Sequence, residues 1–120
     1  MISQYEVPVY LVNELPEIER DLKTCSPTLN IFKSIQCLAN YTRSKLILHD
    51  LKAVKRCLAV ADEVYVKGNS LVKMAIENVF VYSFSSFINL CSKDERKQLQ
   101  AIMPLDLHTV YVQQVLTSGI

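Results

Sequence analysis

The sequence predicts an all-α fold: a compact bundle of five or six helices forming one domain over residues 1–120. Three observations carry the prediction. Half of the 120 residues are hydrophobic, which supplies one core, while the length leaves no room for two domains. Only two glycines, Gly68 and Gly119, and four prolines occur, whereas a β-rich chain needs turn residues at every reversal. Apolar residues also recur at intervals of three and four along most of the chain, the period of a helix.

Tyr5, Val9 and Val12 stand near helical spacing, and Pro8 is tolerated only near a helix start. A short helix is therefore predicted from about Pro8. Pro16 suits the first turn of a second piece over residues 17–23, where Glu17, Glu19 and Asp21 meet the positive end of the helix dipole. Ser26-Pro27 reads as an N-cap hydroxyl followed by proline at the first helical position. From there Phe32, Ile35, Leu38, Thr42 and Leu46 mark a long helix over 27–49.

Asp50 is a suitable N-cap for a helix over 50–67, with Leu51, Val54, Leu58, Ala61 and Val64 or Tyr65 on its apolar face. Gly68 is expected to stop it as a C′ glycine. Asn69-Ser70 then caps a third long helix over 70–91. Its predicted face is Val72, Ala75, Ile76, Val79, Phe80, Ser83, Phe84, Phe87 and Ile88. The stretch Val79-Phe80-Val81-Tyr82-Ser83-Phe84 is rich in strand formers. Its flanks keep the helical period without a turn signal, so it is assigned to the helix. The short connection at 68–69 makes residues 50–91 a helical hairpin, against which 27–49 packs.

Ser92 and Glu95 form an S-x-x-E capping box that opens a short charged helix to Met103. Pro104 restarts the chain. Leu107, Val110 or Tyr111, Val115 and Leu116 belong to a last amphipathic helix. The terminal helices, 8–23 and 94–117, should pack around the three long central ones.

The formal net charge is only +1, so the whole molecule gives no reason to expect nucleic acid or anionic lipid. Its distribution is uneven: net −4 over residues 1–22, +6 over 23–56 and −1 over 57–120. The simplest account is an acidic N-terminal segment lying over a basic middle. The longest uncharged run, residues 78–92, holds two Asn and four Ser and is shorter than the roughly 20 apolar residues of a membrane span. Cys25, Cys37, Cys57 and Cys91 include no CxxC pair, and no basic-then-apolar signal segment opens the chain. All four are read as reduced thiols, and the protein as cytoplasmic.

No motif for catalysis, metal or cofactor rises above background. His49-Asp50 evokes the dyad of metal-dependent phosphohydrolases, but such sites need several His ligands and His108 is the only other histidine. A helix-terminal His followed by an N-cap Asp explains the pair. A Cys–His nucleophile pair lacks any activating environment. Two isolated glycines make no phosphate loop. The basic set Arg43, Lys45, Lys52, Lys55 and Arg56 lacks a helix-turn-helix signature. By helical geometry Val81 and Tyr82 point partly away from the core face; packing on the terminal helices is the default, and the alternative is that they add to an exposed patch that pairs with another chain. These seven residues are the candidate interaction surface.

Tyr10-Leu11-Val12-Asn13-Glu14-Leu15-Pro16-Glu17-Ile18 and Ala75-Ile76-Glu77-Asn78-Val79-Phe80-Val81-Tyr82-Ser83-Phe84-Ser85, with Asp62-Glu63-Val64-Tyr65 and Gly68-Asn69, resemble a family of small bacterial proteins. The family is found mainly in Bacteroidetes and is classed as a domain of unknown function. The resemblance covers most of the chain. It implies a small helical domain and a bacterial origin, and brings no activity and no site residues.

The expected function is non-catalytic: a protein-interaction module that binds another protein or itself, one form being an immunity or regulatory partner. The immunity form is analogy with other small helical bacterial proteins. Two alternatives are an enzyme or ligand-binding domain with a site built from scattered residues, and nucleic-acid binding through residues 43–56. No cofactor is expected, and nothing in the sequence names a small-molecule ligand.

Overall fold

The computed structural model describes residues 1–25, 30–89 and 91–117. Among these the chain forms seven helices and no strand. They are α1 (Val7–Glu14), α2 (a 3-10 turn at Pro16–Ile18 running into Glu19–Cys25), α3 (Ile31–Ile47) and α4 (Leu51–Lys67). A continuous rod, α5, joins Ser70–Ala75, a wider π turn at Ile76–Val81 and Tyr82–Ile88; α6 (Lys93–Ile102) and α7 (Leu105–Thr117) follow. Five or six were expected; the two short N-terminal pieces, divided as predicted ahead of Pro16 by Leu15 at φ −133° and ψ 76°, stand as separate helices, and the count among the described residues is seven.

α3 is the axis of the packing. It contacts α1, α2, α4 and the length of α5, while α7 lies across α4 and α5. Phe80, Phe84, Leu38, Leu58 and Ile76 are fully buried in the core, and Tyr111 of α7 closes on Phe84 edge-to-face at 6.2 Å. The radius of gyration is 13.5 Å, against about 13.6 Å for a folded chain of this length.

Side-chain caps fix most of the boundaries. Asn30 Oδ1 accepts the Phe32 N–H at 2.9 Å and starts α3; the expected Ser26-Pro27 start lies outside the described residues. Asp50 Oδ1 accepts the Ala53 N–H at 3.1 Å, and Asn69 Oδ1 accepts that of Val72 at 3.0 Å. Ser92 Oγ accepts the Glu95 N–H at 3.2 Å. The reciprocal half of the predicted capping box is not made, because the Glu95 carboxylate turns to His49 Nδ1 at 2.6 Å.

Several expectations are corrected. α1 buries Val7 and Leu11, while Val9 and Tyr5 are exposed; with Leu15 and Ile18 the buried positions run at spacings of four, four and three. Phe32 is only partly covered, and Leu116 is exposed. Gly68 ends α4 at φ −73° and ψ 154°, not in the left-handed conformation of a C′ glycine. The left-handed residue is His49, at φ 58°. It terminates α3 in a Schellman arrangement: Asp50 N–H donates to Lys45 O at 3.0 Å and His49 N–H to Leu46 O at 2.9 Å. The described side chains do not include that of Phe87, so its expected core position lies outside them.

The need for glycine at 68 is one of space. A Cβ there would stand 2.5 Å from Val72 Cγ1 and 2.6 Å from the Val64 carbonyl oxygen. The N-terminus also lies against this turn: Ile2 N–H donates to Lys67 O at 2.6 Å and Asn69 N–H to Ile2 O at 2.9 Å. Lys73 reaches back across the same connection. Its Nζ donates to Tyr65 O at 2.8 Å and Val66 O at 3.2 Å, satisfying carbonyls at the negative end of α4.

Candidate interaction surface on helices α3 and α5

The π turn decides what α5 shows to solvent. A regular helix turns about 100° per residue, so Val81 would lie about 100° and Tyr82 about 160° from the centre of the face set by Ile76, Phe80 and Phe84. The wider turn adds one residue to the repeat. Ile76 and Val81, five apart, are then both buried, Val81 at 3% exposure. Val81 is thereby removed from the expected surface. Tyr82 faces outward, as a regular helix would also place it, and is 67% exposed.

On α3 the outward positions are Gln36, Asn40 and Arg43, spaced four and three apart, and all are exposed. They face Tyr82, Ser83 and Ser86 of α5 across an open groove of about 220 Å³. Ala39, a small buried residue, lets the two helices approach at its base. Two residues predicted separately, Arg43 and Tyr82, thus line one groove. On the other flank of α3, Arg20, Asp21 and Thr24 of α2 and Asn40, Tyr41 and Ser44 of α3 line a second groove of about 390 Å³.

The remaining predicted basic residues do not join this site. Arg56 Nη2 donates to Glu14 O at 2.5 Å, closing the end of α1 onto α4. Lys45 Nζ sits 5.3 Å from the centroid of the Tyr41 ring. Burial raises the Tyr41 phenol above its ordinary range, and Glu17 adds to the shift while Arg56 opposes it. The acidic N-terminal segment therefore lies against part of the basic middle. Lys52 and Lys55 are exposed on α4, away from either groove.

Potential chemistry elsewhere is sparse. His49 serves the α3–α4 turn and Asp50 caps α4. Among the described residues no group of three His, Cys, Asp or Glu side chains could hold a metal. A void of about 10 Å³ lies among Leu58, Phe80, Val81, Phe84, Met103, Leu107 and Tyr111, too small for more than about one water. Tyr10 and Asp62 carry raised pKa values, each mainly through burial: Glu63 adds to the shift at Tyr10, and Asp106 at Asp62. They lie on different helices and line neither groove.

The cysteine expectation is overturned at one position. Cys37 is disulfide-bonded, while Cys57 and Cys91 are in the thiol form. A disulfide depends on spatial rather than sequence proximity, so the missing CxxC spacing did not exclude one. Burial pushes the Cys57 thiol upward, which keeps it protonated and unreactive. Among the described residues no helix is long and apolar enough to cross a membrane.

Sequence reasoning picked out Arg43 and Tyr82 from charge and helical phase. It missed Gln36, Asn40 and Ser86, whose uncharged side chains give no signal until the two helices are placed side by side, and it put Ser83 on the core face, whereas Ser83 is half-buried and lines the groove. No curated protein and no solved structure matches the chain. A family model does match, over residues 8–117. That covers nearly the whole described fold, and the chain belongs to the family described as Domain of unknown function (DUF7674).

Proposed function

We propose that the chain is a protein-interaction module that receives its partner along the face formed by α3 and the second half of α5. One observation carries this reading: Arg43 and Tyr82 stand together on an open groove, and both are exposed. Tyr and Arg are the residue types that dominate binding energy at protein interfaces, because each offers a large, semi-rigid contact area with a polar end. The groove is formed by two packed helices, a support rigid enough to limit the ordering cost of binding.

The immunity or regulatory form is the specific version of this proposal, with a second protein as the partner. Cytoplasmic placement was expected from the lack of a signal segment and from four reduced thiols, and the disulfide at Cys37 removes the second of these supports.

The test is affinity capture from the native host's lysate with wild-type protein and with the Arg43→Glu/Tyr82→Ala double variant in parallel. One stoichiometric protein retained by the wild type and lost by the variant is the expected result. Equal capture by both, or no specific protein on either, overturns the reading.

A further inference from the structure

The chemistry of the groove narrows the partner. α3 carries Lys33, Arg43 and Lys45 and no acidic residue along its 17 positions, in a chain whose overall charge is only +1. The α3–α5 groove has one charged lining residue, Arg43, and no carboxylate. Arg43 forms no ion pair among the described residues. Gln36 Nε2 donates to Asn40 Oδ1 at 3.0 Å. That bond leaves the Asn40 NH₂ as a donor and the Gln36 carbonyl as an acceptor, so the charge preference of the groove rests on Arg43. The Tyr82 hydroxyl, exposed at the rim, is a further donor. A surface rich in donors and lacking acids is complementary to an acceptor with negative charge.

We propose that the segment received by this groove is acidic: an Asp or Glu carboxylate pairs with the Arg43 guanidinium, and an adjoining apolar side chain rests on the Tyr82 ring. The inference rests on the docking reading above. A planar guanidinium matches a carboxylate with two parallel N–H···O bonds, a geometry that a lysine ammonium does not reproduce. The second groove, where Asp21 stands beside Arg20, has mixed charge and lacks this preference.

The probe is a phage-displayed library of short random peptides, panned against full-length wild-type protein. Enriched peptides are synthesised, and their affinities measured by fluorescence anisotropy. Leads enriched in Asp and Glu support the proposal if their Kd rises about tenfold in Arg43→Gln. Arg43→Lys should recover part of that loss, Lys93→Gln none of the effect, and added salt should weaken binding. Leads without Asp or Glu enrichment that still weaken in Tyr82→Ala overturn the charge rule and leave the docking reading standing. Leads insensitive to both Arg43→Gln and Tyr82→Ala, or no leads, overturn both. Binding of a duplex DNA probe at low salt that is lost in Arg43→Gln would assign the groove to phosphate and likewise overturn the proposal. Arg43 is exposed, so matched thermal melts confirm that its variants remain folded.

Discussion

Gly68→Ala tests whether the α4–α5 connection is as tightly packed as its geometry indicates. The backbone at 68 lies in an extended region open to any residue. On conformational grounds alone, alanine would stabilise by about 0.4–1 kcal/mol through a less flexible unfolded chain. Against this, the new Cβ meets Val72 Cγ1 at 2.5 Å and the Val64 carbonyl oxygen at 2.6 Å. Val72 is fully buried and β-branched in a helix, so it has no second rotamer to adopt. Overpacking of this kind costs about 1–3 kcal/mol, which outweighs the entropic gain. The expected net loss is about 1–2 kcal/mol, or a fall in Tm of about 4–8 °C for a chain of this length. Thermal melts followed by circular dichroism and urea titration measure it. In Gly68→Ala/Val72→Ala the Cγ1 clash is gone, so the loss should be smaller than the sum of the two single variants. A Gly68→Ala protein as stable as wild type, or more so, would refute the close-approach account.

Asn69→Ala removes the Val72 cap and the 2.9 Å bond from Asn69 Nδ2 to Gln4 Oε1; a loss of about 1–2 kcal/mol is expected in urea titration. Asp62→Asn should raise stability at neutral pH. The Asp62 pKa is raised from 3.8 by burial and then by Asp106, and its buried Oδ1 has no hydrogen-bond partner. The folded state therefore holds this proton more tightly than the unfolded state, so stability falls as pH rises from about 3.8 through the folded value. The gain from Asn should be full above that window and vanish below it; melts across the acid range check this. Thiol labelling read by peptide mass spectrometry should modify Cys91 faster than Cys57 in native protein. Unfolded without reductant, the chain should label at both and not at Cys37; modification of Cys37 without reductant would contradict the disulfide.

Capping chemistry was the most legible part of the fold. Asp50, Asn69 and Ser92 each have a short acceptor ahead of an apolar repeat, and each is bonded as that pattern implies. The core faces of α3 and α4 were legible for the same reason: Ile35, Leu38 and Leu46, and Val54, Leu58 and Ala61, keep the regular helical spacing and are buried. The π turn was not legible. A single added residue at 76–81 leaves the composition unchanged and appears only as a phase slip, which placed Val81 outside. Nor was the conformation of His49, because a glycine one connection later offered the more familiar stop. In α1 the true stripe, Val7 and Leu11, competed with an equally periodic one through Tyr5, Val9 and Val12, and only the packing of neighbouring helices distinguishes them. The groove was half legible: its charged and aromatic residues gave a signal and its amides and hydroxyls gave none.

The most direct test of the docking face is site-specific photo-crosslinking in the native host. A benzophenone side chain is placed at position 82, and in a separate protein at position 97, on α6 and outside both grooves. If the α3–α5 face receives a protein, irradiation gives one dominant adduct from position 82. That adduct disappears when Arg43→Glu is added, and position 97 gives none. Equal adducts from both positions, or an adduct at 82 that is unaffected by Arg43→Glu, would contradict the account.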